Sequence, residues 1–323
     1  MEDLNFDDYD FNNYSYNYSL LLNDAVEQEC SWESSIYFDS IFIPVIYSLA
    51  LAMGLVGNGL VLVILWKKRL SMNTTDIFIF QLSLAGILLL LTLPFWAVEA
   101  VKGWIFGGPL CKLIGTLFKI SFYCGIFMLS CISLDRCLSI IHAVQTYSRK
   151  RRMVIHCCCL MLWLFCLLFS IPDLISLQVI KDSRRQDRIE CVAVYPSYSW
   201  YLATHLLFHI LSFILPGLIM LFCYSCILLR HCSQCKQTKR DFRFVIALVL
   251  AFFIHLTPYN VTRIIDTVQT NTAINPVNLT SCKNTTALDI ALTVTSTLAY
   301  LHCCVIPVLY VGLKVPQKSS VCS

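Results

Sequence analysis

Two charged side chains at the end of a long apolar stretch are the first residues in this sequence with a chemical signature. The stretch begins at Cys111 and ends with the pair Asp135-Arg136. Cys111 and Arg136 lie 25 positions apart, which corresponds to about 37 Å of helix at about 1.5 Å per residue. Because this length exceeds the ~30 Å hydrocarbon core of a bilayer, one end could carry an extracellular disulfide while the other presents the acid-arginine pair to the cytosol.

The first 35 residues are a second candidate site, because they contain nine acidic residues and no Lys or Arg. Tyr9 stands among Asp7, Asp8 and Asp10, an acidic setting suited to tyrosine sulfation. Sulfation would add further negative charge to the tail. The alternative is a tail that is acidic only because acidic residues keep it solvated.

The 18 cysteines divide by their predicted depth in the membrane. Most fall inside apolar segments, where a free thiol behaves as a small apolar side chain. Four lie in segments that we place outside the membrane and could pair in an oxidising compartment, in any of three combinations: Cys30, Cys111, Cys191 and Cys282. His231, Cys232 and Cys235 have the spacing of a metal or redox cluster, but we favour lipidation or inert cytosolic thiols.

No residues in the sequence have the pattern of a catalytic centre. The chain contains no nucleophile–base pair, no metal-binding triad and no phosphate-binding loop. We therefore expect no enzyme activity, no cofactor, no metal and no nucleic-acid partner.

The composition indicates which elements position the candidate residues. Hydrophobic residues make up 57% of the 323 and charged residues only 14%, against about 25% charged in a typical soluble domain. The chain is therefore predicted to be an all-α membrane protein, a bundle of seven transmembrane helices. Each of seven apolar runs exceeds the roughly 20 residues that a membrane-spanning helix needs: Ile36–Trp66, Asp76–Val101, Leu110–His142, Met153–Val179, Ser199–Leu229, Phe242–Val268 and Ala287–Leu313.

Basic residues predict the orientation of these spans. They follow the first span at 67–69 and the third at 149–152, and they flank the connection between the fifth and sixth. By the positive-inside rule these loops are cytosolic, so the amino terminus is extracellular. We expect a multi-pass plasma-membrane protein, in contact with the lipid bilayer, made of three segments: an acidic extracellular tail (1–35), the helix bundle (36–313) and a short cytosolic tail (314–323).

Asparagine sequons are consistent with this orientation. Four lie on the side that we place outside and are candidate glycosylation sites: Asn13, Asn17, Asn278 and Asn284. Two further sequons, at Asn73 and Asn260, fall in the first cytosolic loop and within span six, where glycosyl transfer cannot reach them.

Short motifs along the chain resemble those of one receptor family. They are Gly57-Asn58 in span one, Pro94 and Trp96 in span two, Trp104 to Gly107 in the first outer loop, Trp163 and Ile171-Pro172-Asp173 in and after span four, Pro216 and Tyr224 in span five, and Leu301 to Cys304 in span seven. With Asp135-Arg136, they resemble the chemokine receptors, which are rhodopsin-like G-protein-coupled receptors. The resemblance covers nearly the whole chain, and residues 91–99 and 294–296 look most like the CXC class.

The resemblance implies that the ligands are CXC chemokines, which are small basic proteins. An acidic tail would attract them before contact and speed their encounter. A second contact would lie inside the bundle, where acids are costly and usually functional. We expect Lys119 to pair, in the empty state, with one of three acids near the outer mouth. The expected ligand-binding residues are Asp7, Asp8, Tyr9, Asp10, Trp96, Lys119 and these three acids, Glu99, Asp266 and Asp289.

The resemblance also implies two disulfides and a cytosolic interface. Each bridge would join an outer loop or the tail to the start of a span, and we expect Cys111–Cys191 and Cys30–Cys282. The second bridge would hold the tail against the last outer loop. A heterotrimeric inhibitory G protein would contact four residues at the inner ends of the spans: Asp135, Arg136, Tyr224 and Tyr310.

Four positions depart from the family pattern at the residues that switch the receptor between states. The family has aspartate, tryptophan, asparagine and tyrosine where this chain has Gly86, Leu256, Ile306 and Cys137. In the family, the first three belong to one network of polar groups, sodium and water. Gly86 and Ile306 supply neither an anion for sodium nor an amide that could pass on a hydrogen bond. Three changes in one network suggest that the switch is lost or rebuilt.

These observations favour a scavenging receptor that captures chemokines and couples weakly to an inhibitory G protein and to arrestin. Thirteen residues follow Tyr310, and they offer three serines as phosphorylation sites, which is thin support for arrestin docking. The alternative is a conventional signalling receptor that drives chemotaxis, with Arg136 and Tyr224 sufficient for coupling. A channel or transporter is a remote alternative, because the chain lacks repeats, paired broken helices and a charged pore lining.

Overall fold

A computed structural model describes residues 33–142, 149–182, 187–230, 236–273 and 282–314 of the chain. In this part of the chain, seven helices are long and apolar enough to cross a membrane, as the sequence predicts. We number them span one to span seven. Their bounds are Glu33–Lys67, Thr74–Lys102, Gly107–His142, Arg149–Phe169 continued by Ile171–Ser176, Tyr198–Arg230, Lys236–Ala273 and Cys282–Leu309.

Span two shows how local sequence fixes the ends of a helix. The Asn73 side chain accepts a hydrogen bond from the Asp76 main-chain N–H at 2.8 Å, and the Asp76 carboxylate accepts one from the Asn73 N–H at 3.3 Å. This reciprocal capping box satisfies main-chain donors that have no partner inside the helix. At the outer end, Gly103 adopts a φ of 77° and its N–H donates to the carbonyl of Glu99 at 2.8 Å. Glu99 is thereby fixed in the last turn of the span.

Span four ends earlier than the apolar pattern predicts. Its regular helix stops at Phe169, and a short helix that begins at the Ile171-Pro172 step ends at Ser176. Residues 177–179, which we predicted as the end of the span, lie instead in a β-strand. The prediction fails because a short apolar run fits a buried strand as well as a helix.

The strand belongs to a β-hairpin that the sequence analysis did not predict. Strand β1 (Leu177–Asp182) pairs antiparallel with strand β2 (Arg188–Ala193), with Val179 opposite Cys191. Both strands lie between spans four and five, on the outer side of the bundle. The hairpin supplies the main-chain hydrogen bonds that an irregular loop at this position would lack.

Span five contains one wide turn. Residues Ile210–Ile214 form a π-helical segment between the regular helices Tyr198–His209 and Leu215–Arg230. A π-helical turn holds one more residue than an α-helical turn, so it changes the rotational register between the two halves of the helix. Pro216 is the second residue of the inner half, where the wide turn has already interrupted the regular hydrogen-bond ladder.

The bundle core lies mainly on spans two and three. In each of them, 61% of the most apolar window is buried within the protein, compared with 17% in span four. The apolar side chains that remain exposed would face lipid, where they cost nothing. Buried polar groups join the helices: the Asn58 amide of span one donates to the Cys303 carbonyl of span seven at 3.1 Å, and the Trp163 indole donates to Gln81 at 3.1 Å.

Candidate functional site

A cavity of about 390 Å³ opens between the outer ends of the spans and is the candidate functional site. Its size falls within the usual range for ligand sites, about 300–1,000 Å³. Seven charged residues are among those that line it: the acids Asp39, Glu99, Asp173 and Glu190, and the bases Lys119, Arg188 and Arg263. A membrane protein keeps such charges inside a bundle only where they are paired or face water. The cavity is therefore the polar centre of the outer half.

The β-hairpin is fixed over this cavity by bonds to spans two and three. A disulfide joins Cys111 to Cys191, which confirms the first predicted bridge. The main-chain N–H of Cys191 donates to the Glu99 carboxylate at 2.6 Å, and the Arg188 guanidinium donates to the main-chain carbonyls of Glu99 and Ala100 at 2.6 and 2.7 Å. Glu99 thus lines the cavity, as predicted, and also holds the hairpin in place.

Gly103 allows the hairpin to approach span two closely. A Cβ at this position would lie 2.8 Å from the Ile189 carbonyl oxygen, a distance that real Cβ atoms almost never show. The positive φ of Gly103 is also a conformation that other residues rarely adopt. The neighbouring N–H of Trp104 donates to the same Ile189 carbonyl at 2.6 Å. Glycine is therefore required where the first outer loop meets β2.

Aromatic rings form one wall of the cavity. Trp96, a predicted ligand-binding residue, lies 5.5 Å from the Trp104 ring and 6.2 Å from the Phe118 ring, measured between centroids. Phe118 in turn makes an edge-to-face contact with Tyr300 at 4.6 Å. Rings in such arrangements are rigid and offer a large apolar surface to a ligand.

The predicted partners of Lys119 are wrong. We expected Glu99, Asp266 or Asp289, but the Lys119 ammonium forms an ion pair with Asp173. Asp173 lies in the short helix after span four, on the side of span three from which Lys119 projects. The Glu99 carboxylate instead accepts the hydrogen bond from Cys191.

Asp266 and Asp289 are not among the residues that line the cavity, and their role in ligand binding stays a prediction. Asp266 follows Arg263 by three residues, so its side chain is rotated about 60° from the direction of Arg263 around the helix. Asp289 precedes the lining residue Ser296 by seven residues, which places it about 10 Å further out on a similar face of span seven. Asp266 is therefore a neighbour of Arg263 on span six, and Asp289 lies nearer the outer mouth than the lining of span seven.

Sequence reasoning missed several charged residues of the cavity, and Arg263 is the clearest of them. A usable signal was present, since Arg263 is the one Lys or Arg in the apolar run from Phe244 to Val268. The rule that ionisable residues within a span mark a site was applied to acids alone. For Asp39 and Glu190 no comparable signal exists, because they lie near the end of a span and in an outer loop, where charges are common. Asp173 was recognised only as part of the motif Ile171-Pro172-Asp173.

At the cytosolic end, Asp135 and Arg136 are linked through Thr75 of span two. The Thr75 hydroxyl donates to the Asp135 carboxylate at 2.8 Å and accepts a hydrogen bond from the Arg136 guanidinium. Arg136 and Asp135 themselves approach to 3.8 Å. Tyr310 is buried, with its ring 6.3 Å from that of Phe244 in span six. Tyr224 lies partly buried on span five, and contact of these residues with a G protein stays a prediction.

Three of the altered switch positions surround one small central cavity. Gly86, Leu256 and Ile306 line a space of about 30 Å³, enough for about one water molecule. A Cβ at Gly86 would lie 3.2 Å from the side-chain oxygen of Asn58, so span one occupies part of the room that a larger residue would need. Leu256 and Ile306 are almost fully buried, so the centre of the bundle is packed largely with apolar side chains.

The fourth altered position, Cys137, is buried in a small apolar cluster between spans three and five. The cluster contains Cys223 and Ile227. A tyrosine in place of Cys137 would have to displace these side chains or turn toward the cytosol. The substitution therefore changes packing beside Arg136 and leaves the link from Arg136 to Thr75 intact.

Several predicted residues lie outside the described residues, so the structure says nothing of them. They are Asp7, Asp8, Tyr9, Asp10, Asn13, Asn17, Cys30 and Asn278. Cys282 and Asn284 lie in the first turn of span seven. The Cys30–Cys282 bridge, the glycosylation sites and the sulfation of Tyr9 stay predictions.

Comparison with known proteins identifies similar sequences over most of the chain. Residues 57–310 match the model of the 7 transmembrane receptor (rhodopsin family). The chain is 40% identical over 292 residues to C-X-C chemokine receptor type 3 of Bos taurus, an alignment that covers 90% of this chain and 78% of the relative. It is 38% identical over 309 residues to the Homo sapiens receptor of that name, covering 94% and 82%.

A second receptor type is similar over the same region. C-X-C chemokine receptor type 5 of Rattus norvegicus is 34% identical over 315 residues, covering 95% of this chain and 82% of the relative. This identity of 34% is lower than the 40% and 38% identities to the two type 3 receptors.

Proposed function

The chain belongs to the chemokine receptors of the rhodopsin family of seven-transmembrane receptors, and we propose that it binds CXC chemokines at the cell surface and acts mainly by capturing them. The protein is a multi-pass plasma-membrane protein, and members of its family are receptors rather than enzymes. This membership also removes the channel or transporter alternative.

The observation that carries chemokine binding is the outer cavity with its fixed hairpin. The cavity holds about 390 Å³ of space and is lined by charged residues, which suits the end of a peptide chain. The disulfide and the hydrogen bonds of Cys191 and Arg188 hold the hairpin in one position before a ligand arrives. A site formed in advance loses less conformational entropy on binding.

The acidic tail supports a two-part mode of binding. Nine acids and no basic residue precede residue 36, so the tail carries a strong negative charge. A basic chemokine would be attracted to the tail first, and its flexible end would then enter the cavity. Sulfation of Tyr9 would strengthen the first contact.

Binding is tested with the full chain expressed in cells that lack other chemokine receptors. We expect saturable binding of at least one fluorescent CXC chemokine from a panel. The control is a basic protein of similar size that is not a chemokine, because charge alone would give binding that does not saturate and that disappears with salt. Absence of saturable binding by every CXC chemokine would overturn the proposal.

The capture part of the proposal is supported by the centre of the bundle. Gly86, Leu256 and Ile306 leave a cavity of about 30 Å³ with a mainly apolar lining, where the family has a polar network. A switch needs two arrangements of similar energy whose balance the ligand can shift. With the aspartate, asparagine and tryptophan replaced, the polar contacts that distinguish two such arrangements are lost.

A conventional signalling receptor remains the second candidate, and one observation favours it. The link of Arg136 to Thr75 and Asp135 is present, so two of the residues predicted to meet a G protein are held in a defined arrangement. A charged arginine between two spans is costly, so its presence there favours a role for Arg136 in coupling.

One experiment separates the two candidates. Nucleotide exchange on an inhibitory G protein and uptake of labelled chemokine are measured together, for the wild type and for Arg136→Ala. Capture predicts weak exchange in both proteins and uptake within about twofold in both, since uptake would not depend on the G protein. Robust exchange in the wild type that Arg136→Ala abolishes would establish the conventional receptor instead.

A further inference from the structure

Arg263 differs from the other two cations of the outer cavity in its partners. Lys119 is paired with Asp173, and Arg188 is bound to the carbonyls that end span two, which carry the negative end of the helix dipole. In the described part of the chain, no carboxylate lies within ion-pair distance of the Arg263 guanidinium. The cavity therefore contains a positive charge that the protein does not neutralise by direct contact.

Aromatic rings and two long polar contacts hold this guanidinium. Its central carbon lies 5.3 Å from the centroid of the Phe208 ring and 6.0 Å from that of Tyr259. One terminal nitrogen is 3.4 Å from the Tyr259 hydroxyl and the other is 3.4 Å from the His205 ring. Good hydrogen bonds to nitrogen donors are shorter, about 2.7–3.2 Å, so both contacts are weak.

The hydrogen-bonding capacity of Arg263 is largely unused. A guanidinium has five N–H donors, and the Nε of Arg263 is buried without a partner in the described structure. Burial of a donor without a partner is unfavourable, and more so for a charged group. The rings compensate in part through cation–π attraction. The remaining donors would be satisfied by an acceptor that enters from the cavity.

A carboxylate is the acceptor that this arrangement fits best. The rings contact the guanidinium without accepting strong hydrogen bonds, and a planar carboxylate with two oxygens matches the fork of its donors. Lys119 lies over the same Phe208 ring, with its nitrogen 5.6 Å from the centroid, but it is already paired with Asp173, so Arg263 is the cation available to a ligand carboxylate. Of the other acids in the lining, Glu99 is bonded to the Cys191 N–H of the hairpin and Glu190 lies in β2.

We propose that Arg263 binds the carboxylate of an aspartate or glutamate in the flexible end of the ligand. The inference rests on the proposed function, because it takes a chemokine as the ligand. The receptor then selects for two features at once: a basic body that meets the tail, and an acid that reaches the inner wall of the cavity. Ligands with the first feature alone bind more weakly.

The first test is a double-mutant cycle in cells. The receptor variants are Arg263→Gln and Arg263→Lys, and Arg243→Gln serves as the matched control because it lies on the same helix outside the cavity. The ligand is a CXC chemokine that binds the wild type, with each acid before its first cysteine changed to the amide in turn.

We expect Arg263→Gln to weaken binding about 10- to 100-fold, Arg263→Lys less, and Arg243→Gln not at all. One ligand amide should weaken binding to the wild type by a similar factor and have no further effect on Arg263→Gln. Unchanged binding by Arg263→Gln, or effects that multiply fully, would overturn the proposal.

The second test does not depend on chemokine binding. Purified receptor is heated with the tripeptide acetyl-Ala-Glu-Ala-amide, with its Gln analogue, or with sodium sulfate. Because a ligand that binds the folded state raises its melting temperature, we expect the Glu peptide alone to stabilise the wild type, and no addition to stabilise Arg263→Gln.

The two tests can fail separately. If no chemokine binds but the Glu peptide stabilises the receptor, the proposed function is wrong and the carboxylate site stands. If chemokine binds but the Glu peptide has no effect, the carboxylate site is wrong. Equal stabilisation by sulfate would show a general anion site and would also overturn the assignment to a ligand side chain.

Discussion

The outer and central parts of the bundle differ most in their cavities. The outer cavity holds about 390 Å³ and has seven charged residues in its lining, whereas the central one holds about 30 Å³ and is mainly apolar. The outer half is held open by a disulfide and hydrogen bonds, and the central half is closed by the packing of Leu256 and Ile306.

The comparison teaches that ligand binding and switching depend on different interactions within one fold. A hairpin fixed by covalent and polar bonds keeps its geometry whatever fills the centre of the bundle. A switch depends on groups that exchange partners, and we expect it to weaken when polar groups of this kind are replaced. One half can therefore change in evolution while the other is retained.

The largest effect on chemokine binding is expected from removal of the Cys111–Cys191 disulfide. Cys111→Ser should reduce chemokine binding by more than about 30-fold, because loss of a native disulfide typically costs about 2–5 kcal/mol. Cys157→Ser is the matched control, since Cys157 is a free and exposed thiol on span four. Equal saturation binding by the two variants would show that the hairpin holds its position without the bridge.

A smaller loss is expected from the ion pair between Lys119 and Asp173. Lys119→Met leaves the Asp173 carboxylate without its partner and should lower stability by about 2–3 kcal/mol, near the lower end for a buried pair because both groups keep some exposure. Melting of purified receptor measures the loss. The double variant Lys119→Met/Asp173→Leu should recover part of it, and a double variant that melts below the single one would contradict the assignment.

Removal of the tail charge should weaken binding by roughly 10-fold. Deletion of residues 2–20 removes acids that attract a basic ligand, and the effect should shrink at high salt because salt screens charges at a distance. The variant Asp7→Asn/Asp8→Asn/Asp10→Asn removes charge but keeps the length of the tail, and it is the matched control for the deletion. Equal affinity of wild type and deletion at low ionic strength would remove the tail from the mechanism.

The smallest effect is expected when polar residues are restored in the central part of the bundle. Gly86→Asp with Ile306→Asn should raise chemokine-stimulated nucleotide exchange about fivefold, at the low end of the usual coupling free energy of 1–3 kcal/mol. The Asn58 amide must shift slightly, because a Cβ at residue 86 lies 3.2 Å from its oxygen. The control Gly86→Ala with Ile306→Leu changes side-chain size and shape without adding polar groups. An equal increase in nucleotide exchange from this control would contradict a role for the polar groups.

The seven spans could be predicted because each depends on local features, since a run of about 20 apolar residues has one stable arrangement in a bilayer. The Cys111–Cys191 bridge joins residues 80 positions apart, and the family resemblance selected it from three possible pairings. The partner of Lys119 could not be predicted in the same way. It depends on the rotation of span three about its axis, and a helix that is apolar all round gives no periodic signal for that rotation.

The hairpin and Arg263 illustrate two other kinds of miss. The residues of β1 continue an apolar run, and their assignment to a strand depends on β2, which lies beyond the next turn. Arg263 carried a signal in the sequence, a basic residue within an apolar span. Its lack of a carboxylate partner, in the part of the chain that the structure describes, follows from the packing of its neighbours alone.

The wide turn at Ile210–Ile214 allows a single helix to present two independent faces. One additional residue rotates everything on one side of it by about 100° relative to the other side. His205 and Phe208 lie before the turn and contact Arg263, while Cys223 lies after it and packs against Cys137. Deletion of one residue within the turn would thus rotate the extracellular half of span five relative to its cytosolic half. The contacts with Arg263 and with Cys137 could then not form at the same time, although the residues of both halves would be unchanged.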